Sequence, residues 1–198
     1  MSFRSWRLDV YEISFGAFEM LQLNKQIVLA LLTFGLLSGT LAAEGKLTSR
    51  IASALAAAPK ATWVAQGQGQ RIIYIIVDPN CGYCQLLYKN LQPFIASHNL
   101  QLRWILVAIV DPTSLGKAAA ILQAKDPKLA LDHNETHYNT KTYAGGIIEE
   151  IPSAATEVRL RANEALLNQV GIPVVPTMLF AAKTGEAMMI QGASRPLP

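Results

Sequence analysis

RIIYIIVDPNCGYC, running from Arg71 to Cys84, is the stretch that decides the fold. After Arg71 its first half is continuously apolar and mostly β-branched, as in a strand covered on both faces of a sheet. Asp78-Pro79-Asn80 ends that strand with turn-forming residues. From Cys81 to about Ser97 the chain reads as helix, with Leu86, Leu87, Leu91, Phe94 and Ile95 on its apolar side. Asn80 is the predicted N-cap, and Pro93, which has no N–H to donate, is predicted to kink the helix. Leu102 to Val110 (LRWILVAIV) is a second buried strand. Strand, helix and strand in close succession make a βαβ unit with a parallel pair, which sets the class as α/β.

Within this unit Cys81-Gly82-Tyr83-Cys84 opens the helix directly after the strand, a context that carries far more information than the Cys-x-x-Cys letters alone. Unpaired backbone N–H groups and the positive end of the helix dipole favour thiolate over thiol, so Cys81 is the expected nucleophile. Cys84, one turn further in, is placed to attack a mixed disulfide formed by Cys81 and is the expected, more buried resolving cysteine. Gly82 and Tyr83 bring no positive charge, which leaves the helix end as the source of activation. Two other readings compete. A purely stabilising disulfide closing so small a loop removes little unfolded-chain entropy. A zinc site would need His133 and His137, but these lie much farther along the chain than the roughly 12–15 residues of a compact finger, so no metal is expected.

Working outward, Thr48 to Ala58 is an alanine-rich helix with Ile51 and Leu55 at helical spacing, stopped by Pro59, and Gln66 to Gln70 is a glycine-containing turn. Leu115 to Lys125 (LGKAAAILQAK) is a helix, followed by a second short one and a polar stretch, Asp132 to Gly146, read as a loop. Ser153 to Val170 is a further helix, with Ser153 as N-cap, Glu157 and Arg161 paired one turn apart, and Gly171 just past its end. Thr177–Ala181 and Glu186–Gln191 flank a turn at Lys183-Thr184-Gly185, an antiparallel hairpin. Gly171 to Thr177 (GIPVVPT) leads into it with two prolines. A proline at the start of a buried strand marks a backbone position that an incoming chain can approach, and one of the two is expected to be cis; an ordinary loop is the plainer reading.

At 198 residues, with 51% hydrophobic content, the chain is long enough to bury a core. A net charge of +3 without a basic run or stripe argues against nucleic acid as a partner. Both cysteines belong to the one motif, so there is no disulfide framework. Ile27 to Leu37 is apolar apart from Thr33 and Gly35, follows Lys25, and precedes small residues at Thr40 to Ala43. It is shorter than the roughly 20 residues of a membrane span, so residues 1–43 are expected to be a cleavable signal, with an uncleaved anchor as the alternative. Asp9, Glu12 and Glu19 do not suit a basic leader, whereas Met20 begins a conventional one, and the functional start is expected there.

In order, these features resemble the DsbC/DsbG group of periplasmic thioredoxin-fold disulfide isomerases, DsbG being the nearer of the two. The residues that carry the likeness are Tyr74–Cys84, Leu100–Val110, Ala118–Pro127 and Leu166–Leu179, with Thr62-Trp63-Val64 similar to the segment joining the group's linker helix to its catalytic domain. The resemblance implies a thioredoxin-like fold with a helical insertion between the βαβ unit and the C-terminal hairpin. It divides the chain into a signal (1–43), a linker helix and lead-in (44–70) and a catalytic domain (71–198). It implies Cys81 as nucleophile, Cys84 as resolving cysteine, Pro176 as the cis-proline, and Tyr83, Val175, Pro176 and Thr177 as substrate contacts, Val175 through its backbone. Secreted or periplasmic proteins with cysteines are the implied substrates and a membrane thiol reductase the electron donor, with no cofactor. A redox-independent, chaperone-like binding module is the alternative function. The group's dimers use an N-terminal domain for which Glu44–Gln70 is too short, so a monomer is expected. Relatives also continue past the position of Pro198 into a last helix, which the domain is expected to lack.

Overall fold

Arg71–Val77 is strand β2, and its inner residues are buried on alternate sides. In the computed structural model, which describes residues 44–193, Ile75 and Val77 enter one apolar cluster while Tyr74 and Ile76 enter another. That two-sided burial explains an unbroken apolar run, each such side chain being worth about 1.5–3 kcal/mol when taken out of water. The chain divides into two units, Met1–Lys46 and Leu47–Pro198. Of the first, residues 44–46 are described, and they are helical. The expected signal at Ile27–Leu37 and the chain end after residue 193 lie outside the described residues.

The second unit begins with α1 (residues 47–57) and a 3-10 turn over Ala58–Lys60. It continues through β1 (Trp63–Gln66), β2, α2 (Gly82–Leu91), α3 (Phe94–Ser97) and β3 (Leu100–Leu106). The helices α4 (Ser114–Gln123), α5 (Pro127–Thr136) and α6 (Ala154–Gln169) follow, and the hairpin β4 (Thr177–Ala181) and β5 (Ala187–Gln191) closes it. The five-stranded sheet has the order β1-β3-β2-β4-β5, with β2 in the centre. β2 and β3 are parallel and every other pair is antiparallel, so the βαβ unit and the hairpin form as expected. Leu87 and Tyr88 of α2, Ala118 and Ile121 of α4, Leu131 of α5 and Leu160 of α6 cover one face. Ala54 and Ala58, with Leu166, Leu167 and Val170, cover the other.

Several expectations are corrected. Trp63–Gln66 is a strand of the sheet, paired with β3 from Trp63↔Ile105 to Gln66↔Leu102, although it lies ahead of the Arg71 boundary read from the sequence. Its short, mixed composition hides it, and Gln66 is buried because Trp104 Nε1 donates to its Oε1 at 2.9 Å. β3 ends at Leu106 and not at Val110, since the N–H groups of Ile109 and Val110 turn to Asp78 Oδ2 at 2.7 and 3.0 Å. Pro93 breaks the long helix in two, standing as N-cap of α3, where a single kinked helix was predicted. The polar stretch from Asp132 is helical as far as Thr136. By contrast Ser153 caps α6 by accepting from Thr156 N at 3.2 Å, Arg161 meets Glu157 at 3.0 Å, and Gly171 follows with φ of +94°, all as the sequence indicates.

Candidate active site

Cys81 itself is the N-cap of α2: its Sγ accepts from Cys84 N at 3.2 Å, the role the sequence had pointed to Asn80 for. A sulfur in that position faces the free N–H groups of the first turn, which stabilise negative charge. Both cysteines are free thiols, 7% and 1% exposed. The Cys81 thiol is held below its usual value of 9.0, first by the hydrogen bond from the Cys84 side chain and then, against a desolvation cost, by the N–H groups of Cys84 and Tyr83. Cys84 is pushed well above 9.0, chiefly by burial and then by its neighbour Cys81. One helical turn thus sorts the pair into a ready nucleophile and a buried, protonated partner.

Opposite the pair, the loop before β4 brings Val175 O within 3.6 Å of Cys81 Sγ, and the Val175–Pro176 peptide is cis. Tyr83 is 64% exposed beside the cysteines, Val175 is half-buried, and Pro176 is buried with its carbonyl accepting from Gly192 N at 2.8 Å. Thr177, the fourth of the expected substrate contacts, is placed differently from Tyr83 and Val175. It is fully buried, donating from Oγ1 to Val174 O at 2.6 Å and accepting from Gln191 Nε2 at 3.1 Å, so it shapes the loop from behind.

Beneath the motif lies a polar layer that sequence reading missed. Asp78 accepts from Asn80 N and Ser114 Oγ on one oxygen and from Ile109 N and Val110 N on the other. Asn80, buried instead of capping, donates to Thr113 Oγ1 and Ser114 Oγ, while its Oδ1 accepts from Lys117 Nζ at 2.9 Å and Gly145 N at 3.1 Å. From α5, Asn134 donates to Pro79 O at 3.0 Å; just after α5, Tyr138 Oη donates to Asn80 O at 3.1 Å. Tyr138 also crowds the residue after Cys81: a Cβ on Gly82 would stand 3.2 Å from its hydroxyl, close enough that the phenol would have to give way slightly. Asp126-Pro127, an N-cap followed by proline at the first helical position, is the sequence signal that could have revealed α5. His133 of that helix and His137, its C-cap, are exposed and stack on each other at 4.2 Å. Among the described residues no three His, Cys, Asp or Glu side chains are grouped as metal ligands.

The sequence profile of the Thioredoxin-like domain matches residues 58–196. The chain belongs to the thioredoxin-like domain family. Within this thioredoxin-like chain the match takes in β1 as well as the motif, the insertion and the hairpin. It is 32% identical over 139 residues to the thiol:disulfide interchange protein DsbG of Pseudomonas aeruginosa, covering 69% of this chain and 53% of that one. To DsbG of Escherichia coli it is 29% identical, covering 66% and 52%. The chain therefore spans about half the length of these curated relatives. Among solved structures, a periplasmic thioredoxin-like protein from Salmonella enterica serovar Typhimurium shares the fold, with a TM-score of 0.56 and 19% identity over 73% of this chain and 88% of that one.

Proposed function

We propose that this protein exchanges disulfides with cysteine-containing proteins in the periplasm, as a reductase or isomerase. The observation that carries the reading is Cys81 Sγ at the head of α2, hydrogen-bonded by Cys84 N and facing Val175 O beside Pro176. The Cys81 thiolate attacks a substrate disulfide, forming a mixed disulfide and expelling one substrate sulfur as a thiolate. Cys84 then attacks the Cys81 sulfur, closes the Cys81–Cys84 bond and expels the second substrate sulfur; in isomerisation a second substrate thiolate instead attacks the substrate sulfur of the mixed disulfide, forming a new substrate disulfide and expelling Cys81 as a thiolate. The substrate backbone lies along Val175, with Tyr83 and Pro176 flanking it, and a membrane thiol reductase restores the dithiol. The Ile27–Leu37 segment and the likeness to the two DsbG proteins support export and exchange.

Purified protein is expected to reduce insulin and to reshuffle scrambled ribonuclease, and Cys81→Ser to fall to the uncatalysed rate. Activity that survives Cys81→Ser sinks the assignment. The equilibrium potential of the pair against glutathione then separates a reductant or isomerase from an oxidant. A client-holding role is the second reading, favoured by exposed Ile109, Val110, Ile172 and Val174 on the two segments that flank the motif. Protection of an aggregating client that is undiminished with both cysteines replaced selects it.

A further inference from the structure

Two imidazoles at the end of α5 have no part in the exchange chemistry. His133 and His137 are four residues apart, so the helix sets them on one face, a turn from each other. Both are exposed, and their rings stack with centroids 4.2 Å apart and planes inclined by 30°. His137 Nδ1 lies 3.1 Å from His133 O and 3.1 Å from Thr136 Oγ1. A carbonyl can only accept, so Nδ1 carries the ring proton and Nε2 is left with the free lone pair. A backbone carbonyl bound to the far nitrogen is how a metal-ligating histidine is held in one tautomer and orientation. The ring of His133 makes no hydrogen bond among the described residues, so its nitrogens are also available.

We propose that His133 and His137 together bind a divalent transition-metal ion of the copper and zinc type, His137 through Nε2, with water filling the other positions. Imidazole nitrogen is the ligand that such ions share with one another and not with calcium or magnesium, and Cu(II) is expected to be held most tightly. Metal–nitrogen bonds of about 2.0–2.1 Å let one ion join two nitrogens up to about 4 Å apart, which is the spacing at which these rings already stand.

The surroundings favour a cation. His133 lies in the last turn of α5 and His137 is its C-cap, at the negative end of the helix dipole. Asp126 and Asp132 line the same cavity as the two histidines, opposed there by Lys125, while Lys128 is paired with Asp132. Neither acid is grouped with the pair as a third ligand, and exposure of both rings supplies the water that a two-nitrogen site requires. This site differs from the zinc centre weighed from the sequence, because it includes neither Cys81 nor Cys84, and it stands whether or not the cysteines exchange disulfides.

The test uses the full chain with the Cys81–Cys84 bond formed, so that no thiol binds the metal or reduces Cu(II). Zn(II) is titrated by calorimetry and Cu(II) by electron paramagnetic resonance, and the histidine ring signals are followed by NMR. The expected result is saturable binding of one ion per chain, with nitrogen hyperfine structure on the copper spectrum and shifts at His133 and His137 but not at His98. His133→Ala and His137→Ala are each expected to weaken binding by about 10²-fold, because the second ligand on a shared helix face engages at high effective concentration. His98→Ala is expected to leave binding unchanged. Both histidines of the pair are exposed, and an unshifted urea midpoint is the expected sign that each variant keeps its fold. Absence of saturable binding, or binding that survives either substitution in the pair, overturns the proposal. Should a variant fail to fold, ring signals of His133 and His137 that stay unmoved by metal in the natural protein overturn it equally.

Discussion

Cys81 and Cys84 stand one helical turn apart and yet shift in opposite directions, because each draws on a different surrounding. Cys81 caps the helix and receives hydrogen bonds, so its charged form is favoured; Cys84 is enclosed by the core, so its charged form is penalised. The largest influence on Cys81 is the hydrogen bond from the Cys84 side chain, ahead of the backbone N–H groups. Alkylation of Cys81 by iodoacetamide, followed against pH, is therefore expected to inflect below 9.0, because the thiolate fraction grows as pH passes the lowered value. Cys84→Ala is expected to move that inflection upward by removing the donor. An unmoved inflection would assign the effect to the helix end alone.

At the scale of elements, α4 and α5 form the platform on which the motif rests. Lys117 on α4 donates to Asn80 Oδ1 and Gly145 O, and Asn134 on α5 donates to Pro79 O, so the loop between β2 and α2 is held from two sides of the insertion. The energy lies in satisfaction of buried groups more than in the net worth of each bond. Asn80→Ala removes two donor contacts and one of the two partners of the buried Lys117 Nζ. It is expected to cost about 3 kcal/mol, read as a shift of the urea midpoint at constant slope. A loss below 1 kcal/mol would mean that water replaces Asn80 and that the platform is looser than its hydrogen bonds indicate.

For the molecule as a whole, the sheet divides the interior, and Trp104 joins several parts of its active-site side. It is 1% exposed, donates to Gln66 of β1 at 2.9 Å, and its ring stands 5.2 Å from that of Tyr88 on α2. Tyr88 Oη in turn donates to Asp132 on α5 and accepts from Gln66 Nε2. Edge strand, central helix and insertion thereby share one indole. Trp104→Ala is expected to destabilise the fold by about 3–5 kcal/mol through the cavity it leaves, measured by urea denaturation. An effect below 1 kcal/mol would show that the cluster collapses around the gap.

The local code was sufficient for the elements whose signals are complete within a few residues. The β-branched run at Ile72–Val77 makes a two-sided strand, Ser153 and Gly171 bound α6, Lys183-Thr184-Gly185 turns the hairpin, and Cys-x-x-Cys after a strand marks the site. These depend on periodicity, capping and backbone freedom, which act between near neighbours. Long-range partnerships decided the rest. Trp63–Gln66 becomes a strand only because β3 offers it an edge, and β3 stops short because Asp78 captures the amides of Ile109 and Val110. Thr177 turns inward because Val174 and Gln191 meet it, and Glu135, one acid within a polar run, becomes a buried carboxyl only when α5 docks on Pro79. Burial and hydrogen-bond satisfaction are properties of surroundings assembled from distant parts of the chain, and no window of sequence contains them.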